Sequence, residues 1–220
     1  MLNILAIIPA RGGSKAIPLK NLYLLNKKPL IQYTIESAIS SNIFKKIIVS
    51  SDSETILKFS KKFKNIYSHK RPKRYARDFS STDSVVENVL DNELKKNNYY
   101  DYLCIIEPTS PLRSAKSLNN AYKFLEQNNA NSLITVNLFN HYYGYIKNNK
   151  FIYKSKSFLP RQKRKKMYIE TGTFYFVKSN YFLKYKKIRS KNPSYIEVPK
   201  IEITDINDFE DLKMAEKLIK

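Results

Sequence analysis

Short apolar runs alternate with amphipathic stretches over the first 137 residues, and this alternation constrains the fold more than any other feature. The apolar runs have the length of strands, and the stretches between them have helical spacing. Strands that alternate with helices predict an α/β fold with a Rossmann-like, mostly parallel sheet and helices on both faces. The predicted strands are 3–8, 46–50, 65–68, 102–107, 132–137 and 172–177, and the predicted helices are 29–41, 53–63, about 82–96, 114–127 and 208–219.

The length of 220 residues suits a single domain, 1–220, and a hydrophobic fraction of 42% is sufficient for one core. The alternation of strands and helices stops at residues 140–158. This stretch is rich in Tyr, Asn and Lys and predicts a small antiparallel excursion from the sheet. Two alternatives are open for these tyrosines. They are buried either in a partner subunit or in the core of a folded monomer.

Composition excludes several classes of site. Cys104 is the single cysteine, and His69 and His141 are the only histidines, so a zinc–cysteine set and a multi-histidine site are both excluded. A metal in this protein is therefore expected to be a hard cation on oxygen ligands. No apolar run is long enough for a membrane helix, and residues 2–8 are too short for a signal peptide, so we expect a cytoplasmic protein without membrane insertion.

Lys and Arg number 40 against 19 Asp and Glu, which gives a formal net charge of +21 and favours anionic partners. Basic runs at 61–74, 161–166 and 184–191 raise the alternative of nucleic-acid binding, but they contain no nucleic-acid motif. We interpret them as solvated faces and expect no specific nucleic-acid partner.

The loop that follows the first predicted strand, residues 9–21, carries the strongest functional signal. Ligands on parallel sheets bind at the carboxyl ends of strands. Gly12 and Gly13 allow backbone N–H groups to approach an oxyanion and permit positive φ. Arg11, Lys15 and Lys20 add three cations, so the loop predicts a polyphosphate ligand. The spacing is neither that of a P-loop nor G-x-G-x-x-G, and the alternative is an ordinary glycine turn beside surface lysines.

Several segments, in the right order over about nine tenths of the chain, resemble the acylneuraminate cytidylyltransferase family. The most specific are Arg-Gly-Gly-Ser-Lys in the first loop and Glu-Pro-Thr-Ser-Pro-Leu-Arg at 107–113. The other similar segments are Ser-Ser-Asp-Ser at 50–53, Arg-Pro at 71–72 with Ser-Ser-Thr at 80–82, Pro-Arg-Gln at 160–162, Glu-Thr-Gly-Thr-Phe-Tyr at 170–175 and Asp-Ile-Asn at 205–207.

This resemblance implies a nucleotide-diphospho-sugar-transferase-like fold and transfer of CMP from CTP to a sialic-acid-like 2-keto sugar acid. It implies a homodimer in which residues 138–171 form a dimerisation and sugar-side arm. It implies nucleotide contacts from Arg11, Gly12, Gly13, Ser14, Lys15, Lys20, Asn21, Arg71, Thr82 and Glu107, with catalytic roles for Arg11, Lys15, Lys20 and Asp205. It implies Mg²⁺ held by Asp205 and Asn207, and a sugar acid contacted by Arg161, Thr171 and Tyr175.

The chain also departs from the family pattern. Glu107 stands where the family has Gln, Asn207 stands where a second metal carboxylate is expected, and Thr171 replaces an Asn. The aromatic pair of the acyl pocket has no counterpart near 188–190. The sugar acid therefore stays open among N-acetylneuraminic, legionaminic and pseudaminic types. The alternatives are another 2-keto sugar acid such as Kdo, or a degenerate homologue that binds nucleotide without catalysis.

Overall fold

The computed structural model describes residues 1–77, 79–154 and 158–219, with the side chain of Arg161 left out. Its strands are β1 (Ile4–Pro9), β2 (Leu24–Leu25), β3 (Lys28–Pro29), β4 (Lys46–Ser51), β5 (Ile66–Lys70), β6 (Tyr102–Ile106), β7 (Ser132–Phe139), β8 (Gly144–Lys147), β9 (Lys150–Tyr153), β10 (Met167–Lys178) and β11 (Ser194–Glu197). Its α-helices are α1 (Leu30–Ser41), α2 (Glu54–Ser60), α3 (Thr82–Leu94), α4 (Ala115–Asn128), α5 (Ser179–Tyr185) and α6 (Phe209–Leu218).

The main sheet has seven strands in the order β11-β7-β10-β6-β1-β4-β5. Strand β1 pairs in parallel with both β4 and β6, while β10 runs antiparallel between β6 and β7. The prediction of an α/β fold with a mostly parallel sheet is therefore confirmed. Because β1 lies at the centre and is buried on both faces, its sequence is a continuous apolar run rather than an alternating one.

The core has one layer on each face of the sheet. Ile4, Ala6 and Ile8 of β1 point to the face covered by α1, α2 and α4, whereas Leu5 and Ile7 point to the face covered by α3 and α5. Because successive side chains of a strand point to opposite faces, β1 packs against both helical layers. A third, smaller cluster joins the first loop to α6 through Ile17, Leu30 and Leu212, among others.

Several parts of the secondary structure differ from the predictions, including the short hairpin of β2 and β3, which was not predicted. Strand β10 begins at Met167 instead of residue 172, and its pairing with β7 shifts between Glu170 and Tyr175, where Gly172 has φ +69°. A bulge interrupts the periodicity by which a strand is recognised, which hid the first half of β10. Helix α5 and strand β11 were not predicted, because segments of seven and four residues carry too little periodicity.

The predicted antiparallel excursion is present as a separate two-stranded sheet of β8 and β9. Its aromatic side chains are not in the core, since Tyr143, Tyr145 and Tyr153 are each about half exposed, at 46%, 46% and 48%. The alternative of a monomer that buries these tyrosines in its own core is therefore wrong. No helix within the described residues has the length and apolar character to cross a bilayer.

Candidate active site

A cleft of about 200 Å³ opens at the carboxyl ends of β1 and β6, beside the start of α3. It brings together predicted nucleotide residues that are far apart in the chain. These are Arg11, Gly13, Ser14, Lys20, Asn21, Arg71, Thr82 and Glu107. The lining also includes side chains to which the sequence analysis gave no role, namely Tyr75, Arg77, Val85 and Thr109. The first loop therefore faces the crevice where a ligand of a parallel sheet is expected.

Hydrogen bonds to neighbouring segments hold the first loop in place. The backbone N–H of Ala10 donates to the carbonyl of Ser50 at 2.9 Å, and that of Gly12 donates to Asp52 Oδ1 at 2.9 Å. The side chain of Asn21, which is buried, donates to the carbonyl of Arg11 at 2.9 Å. Asn21 therefore shapes the loop in addition to lining the cleft.

One of the two reasons expected for the loop glycines, positive φ, is wrong. We predicted that they would permit positive φ, but neither has it, and Leu19 is the loop residue in the left-handed region, with φ 50°. Gly12 is required by close packing, because a Cβ there would lie 2.8 Å from Ser53 Cβ. A Cβ on Gly13 would meet no atom within 4 Å, so the space beside Gly13 is open to a ligand.

This contrast predicts opposite results for two alanine substitutions. Gly12→Ala should lower the free energy of unfolding by about 1–3 kcal/mol, since the new methyl group overpacks against Ser53. Gly13→Ala should leave stability within about 0.5 kcal/mol of wild type and weaken CTP binding instead. Urea unfolding and calorimetric titration with CTP measure the two quantities. Equal stability of both variants would contradict the packing argument.

Lys20 joins the first loop to the segment that was predicted to hold a metal. Its Nζ donates to the carbonyl of Ile206 at 2.8 Å, and the N–H of Ile206 donates to the carbonyl of Thr109 at 2.8 Å. Burial lowers the pKa of Lys20, and the nearby Arg11 adds to this, although Asp205 opposes it. Asp205 therefore lies within electrostatic reach of the cleft.

Asp205 and Asn207 form a sparse donor set. The carboxylate of Asp205 is exposed and accepts a hydrogen bond from Asn207 Nδ2 at 3.0 Å. In the parts of the chain that the structure describes, no three His, Cys, Asp or Glu side chains cluster as a metal site. Mg²⁺ nevertheless is commonly held by one or two carboxylates together with substrate phosphates. One carboxylate and one amide oxygen beside a polyphosphate cleft fit that pattern.

Glu107 follows β6 directly and lines the same cleft. Burial raises the pKa of its carboxyl to about 7, and this exceeds the opposing effect of the nearby Arg113 and Arg71. The folded protein therefore keeps a proton on Glu107 that the unfolded chain loses near pH 4.5. Near neutral pH this group is only partly charged, which reduces its repulsion of phosphate.

The raised pKa predicts a pH-dependent effect of Glu107→Gln on stability. Between pH 4.5 and 7 the folded state binds more protons at Glu107 than the unfolded state does, so stability falls as the pH rises. Because glutamine does not titrate, the variant should gain stability relative to wild type from pH 5 to pH 8. Urea unfolding at both pH values tests this, and a constant difference would contradict a half-buried Glu107 that titrates near pH 7.

Arg113 ends the 107–113 motif, and the structure reveals a role that sequence analysis did not assign. Its guanidinium is buried and donates to the carbonyls of Glu107 and Thr173 at 2.6 and 3.1 Å, and to Thr34 Oγ1 at 3.4 Å. It thereby ties β6, β10 and α1 together beneath the cleft. Arg113 supports the site and is absent from its lining.

Two of the three residues predicted for the sugar side, Thr171 and Tyr175, are not among the residues that line the cleft. Tyr175 is 6% exposed and packs in the core layer of α3, while Thr171 donates to Thr135 Oγ1 at 2.7 Å. The third, Arg161, was also predicted to contact the sugar acid, but its side chain lies outside the part of the chain that the structure describes. Sequence analysis also missed Arg189, whose Nη2 donates to Tyr175 Oη at 2.8 Å and whose Nε donates to Glu170 at 2.6 Å. No signal in a single sequence marks an arginine that acts through such long-range contacts.

The chain is similar to known proteins over almost its whole length. Residues 5–218 match the family model described as cytidylyltransferase. The chain is 34% identical to the pseudaminic acid cytidylyltransferase of Campylobacter jejuni, over 98% of this chain and 96% of the relative. It is 32% identical to the CMP-N,N'-diacetyllegionaminic acid synthase of the same species, over 100% and 96%.

Solved structures show the same fold at lower identity. CMP:2-keto-3-deoxy-manno-octonic acid synthetase complexed with CTP superposes with a TM-score of 0.72 at 12% identity, covering 99% of this chain and 98% of that one. The family match spans nearly the whole chain, and the resemblance seen in the motifs is thereby confirmed. The chain belongs to the cytidylyltransferase family and is a nucleotidyltransferase.

Proposed function

We propose that this enzyme transfers CMP from CTP to the anomeric hydroxyl of a sialic-acid-like 2-keto sugar acid. The hydroxyl oxygen bonds to the α-phosphorus, the bond from that phosphorus to the bridging oxygen breaks, and pyrophosphate leaves while the hydroxyl loses its proton. The observation that carries the proposal is the convergence of Arg11, Lys20 and Arg71 with Ser14 and the 107–109 turn on one cleft. The names of the full-length relatives support a nonulosonic acid as the acceptor.

The predicted nucleotide residues divide into two roles in this proposal, and all of them except Gly12 and Lys15 line the cleft. Arg11, Gly12, Gly13, Ser14, Lys15 and Lys20 bind the triphosphate and neutralise the charge that develops as pyrophosphate leaves. Asn21, Arg71 and Thr82 contact the nucleoside side, and Glu107 lines the same cleft within electrostatic reach of Asp205. Such a site accelerates the reaction chiefly by aligning the reacting atoms and by electrostatic stabilisation.

Mg²⁺ is the cofactor that the donor set favours, with Asp205 and Asn207 as its protein ligands. The hydrogen bond from Asn207 Nδ2 to Asp205 leaves the amide oxygen of Asn207 for a cation. When bound, the ion would offset negative charge on the phosphates. Lys20, which bonds to the carbonyl of Ile206 between these ligands, positions the segment against the cleft.

For the sugar acid, we propose contacts from Arg161, Thr171 and Tyr175. Support comes from the neighbourhood of Tyr175, whose Arg189 partner is close enough to Glu107 to lower the pKa of that carboxyl. The sugar side thus adjoins the nucleotide cleft at Glu107. The single cysteine, Cys104, is a free and fully buried thiol, in keeping with our further proposal that the protein acts in the cytoplasm.

We also propose that the chain is a homodimer whose arm, residues 138–171, covers part of its partner. Exposed apolar side chains on the arm support this, among them Ile146 and Phe158, at 69% and 66%. Light scattering on the purified protein should give about twice the chain mass of 25.9 kDa. Ile146→Lys with Phe151→Lys should shift it toward the monomer. A monomeric wild type at assay concentration would refute the proposal.

The enzymatic test is a panel of sugar acids assayed with CTP and Mg²⁺, with pyrophosphate release as the readout and mass spectrometry of the product. Pseudaminic, legionaminic and N-acetylneuraminic acids form one group, and Kdo is the comparison. We expect turnover with at least one member of the first group, with CTP preferred over ATP, GTP and UTP. Turnover with Kdo alone, or CTP binding without any product, would overturn the proposal.

A further inference from the structure

A chain of hydrogen bonds, half-buried at His69 and buried at Arg71, leads from α3 to Arg71. Asn92 Nδ2 lies 2.9 Å from His69 Nε2, and His69 Nδ1 lies 3.0 Å from Ser50 Oγ. The Nε of Arg71 donates to the same Ser50 Oγ at 3.2 Å, and its Nη2 donates to the Ser50 carbonyl at 2.6 Å. Ser50 is fully buried, so it holds two nitrogens of the Arg71 guanidinium away from water.

The neighbours of His69 determine where its proton resides. Asn92 Nδ2 also donates to the carbonyl of Asn88 at 2.9 Å, so the amide presents its nitrogen to both partners. An amide nitrogen only donates, and therefore Nε2 of His69 must accept. The ring proton is thus on Nδ1 and points to Ser50. Ser50 Oγ accepts from both His69 and Arg71.

We propose that His69, in its neutral form with the proton on Nδ1, is a positioning residue that orients Arg71 in the nucleotide cleft through Ser50. This inference rests on the proposed function, in which Arg71 contacts CTP. His69 itself does not line the cleft, so it acts on the nucleotide through another side chain.

The charged groups around His69 favour the neutral ring. Burial lowers the pKa of His69 below its ordinary value of 6.5, and the cations Arg71 and Lys96 act in the same direction. Glu93 at the end of α3 opposes them, but its carboxylate is already bonded to Lys46. A proton added at Nε2 would oppose the amide donor of Asn92 and place a positive charge beside Arg71.

The decisive test is a double-mutant cycle on CTP affinity, measured by calorimetry without sugar acid. His69→Leu should weaken CTP binding about tenfold, the expected effect of losing one hydrogen bond in a network that holds a charged group. In an Arg71→Ala background the same change should weaken it less than twofold, because nothing remains to be positioned. An equal fold-change in both backgrounds would show a general structural role and overturn the inference.

Two further variants separate positioning from packing. His69→Asn keeps an N–H donor near Ser50 and should restore affinity to within about threefold of wild type. Ser50→Ala should match His69→Leu, whereas Ser60→Ala, which also alters a fully buried serine but one bonded to the Leu57 carbonyl, should leave CTP affinity unchanged. Failure of His69→Asn to restore binding, or an equal loss in Ser60→Ala, would count against the inference.

The protonation state is tested by the ratio of the CTP dissociation constants of wild type and His69→Asn. This ratio should stay constant while the ring is neutral and rise at the pH where the ¹⁵N NMR signals of the imidazole show that it gains a second proton, because only wild type gains the ring charge and the titration of CTP cancels. The same signals report which ring nitrogen carries the single proton. A ratio that stays constant while the ring becomes charged, or a neutral ring with its proton on Nε2, would overturn the inference. If wild type binds no CTP at all, the proposed function and this inference fall together. If wild type binds CTP normally but the effects of His69→Leu and Arg71→Ala are additive, the inference is overturned and the proposed function is not.

Discussion

Asp205→Ala is expected to reduce CMP transfer by about 10²–10³-fold, with little change in the free energy of unfolding. The side chain is exposed and accepts a hydrogen bond from the exposed Asn207, so its loss removes little folding energy. Among the carboxylates near Lys20, it is also the one that most strongly favours the charged form of that lysine. Steady-state pyrophosphate release at several Mg²⁺ concentrations, together with urea unfolding, measures both effects.

A matched control for this loss is Glu210→Ala, which removes another exposed carboxylate of the same segment. Glu210 lies in the first turn of α6, and unlike Asp205 it is not among the carboxylates that act on Lys20 in the cleft, so the activity of the variant should stay within about twofold of wild type. Raising the Mg²⁺ concentration should partly rescue Asp205→Asn, which retains an oxygen ligand, more than Asp205→Ala. Near wild-type turnover of Asp205→Ala at low Mg²⁺ would reject the assigned role.

Arg113→Ala is expected to cause the largest loss of stability, about 3–5 kcal/mol, because it leaves several buried acceptors without their donor. The carbonyls of Glu107 and Thr173 and the hydroxyl of Thr34 each accept from its guanidinium. These three acceptors belong to different segments, so the substitution also loosens the turn that carries Glu107 into the cleft. Urea unfolding at pH 7 measures the change.

The control arginine is Arg74, which is exposed and stacks on Tyr75 at 4.9 Å. Arg74→Ala should change stability by about 0.5 kcal/mol or less, in line with other surface substitutions. Arg113→Lys retains the charge but not the planar set of donors, and it should fall between wild type and Arg113→Ala. A loss in Arg113→Ala no larger than that in Arg74→Ala would contradict the structural role.

Local patterns in the sequence were sufficient to predict most of the parallel sheet. The apolar run at 3–8 and the helical spacing of 29–41 predicted β1 and α1 to within one residue at each end. A strand that is buried on both faces has a continuous apolar sequence, and a helix that is buried along one stripe has apolar residues at helical spacing, so both can be recognised from neighbouring residues. The bulge at Gly172 and the short elements α5 and β11 escaped prediction. The bulge and β11 depend on pairing with β7, which is distant in the chain, and the seven residues of α5 are too few to show a helical period.

In the candidate site, too, some features could be predicted from local sequence and others depend on distant contacts. The composition of the first loop predicted an anion site, and its residues do meet Arg71, Thr82 and Glu107 around one cleft. The positive φ expected of Gly12 is absent, and what requires a glycine there is its close contact with Ser53. Arg113, Arg189 and His69 could not be given roles from sequence, since each acts through partners that only the folded chain brings near.

The order of residues in the chain by itself determined the alternation of strands and helices, the cationic glycine loop and the family to which the enzyme belongs, because these depend on near neighbours or on contiguous motifs. Tertiary structure alone decided that Arg113 supports the cleft from beneath, how far the carboxyl of Glu107 holds its proton, and which nitrogen of His69 carries one. Those properties follow from burial and hydrogen-bond geometry, and both are set by segments that meet only when the sheet has formed.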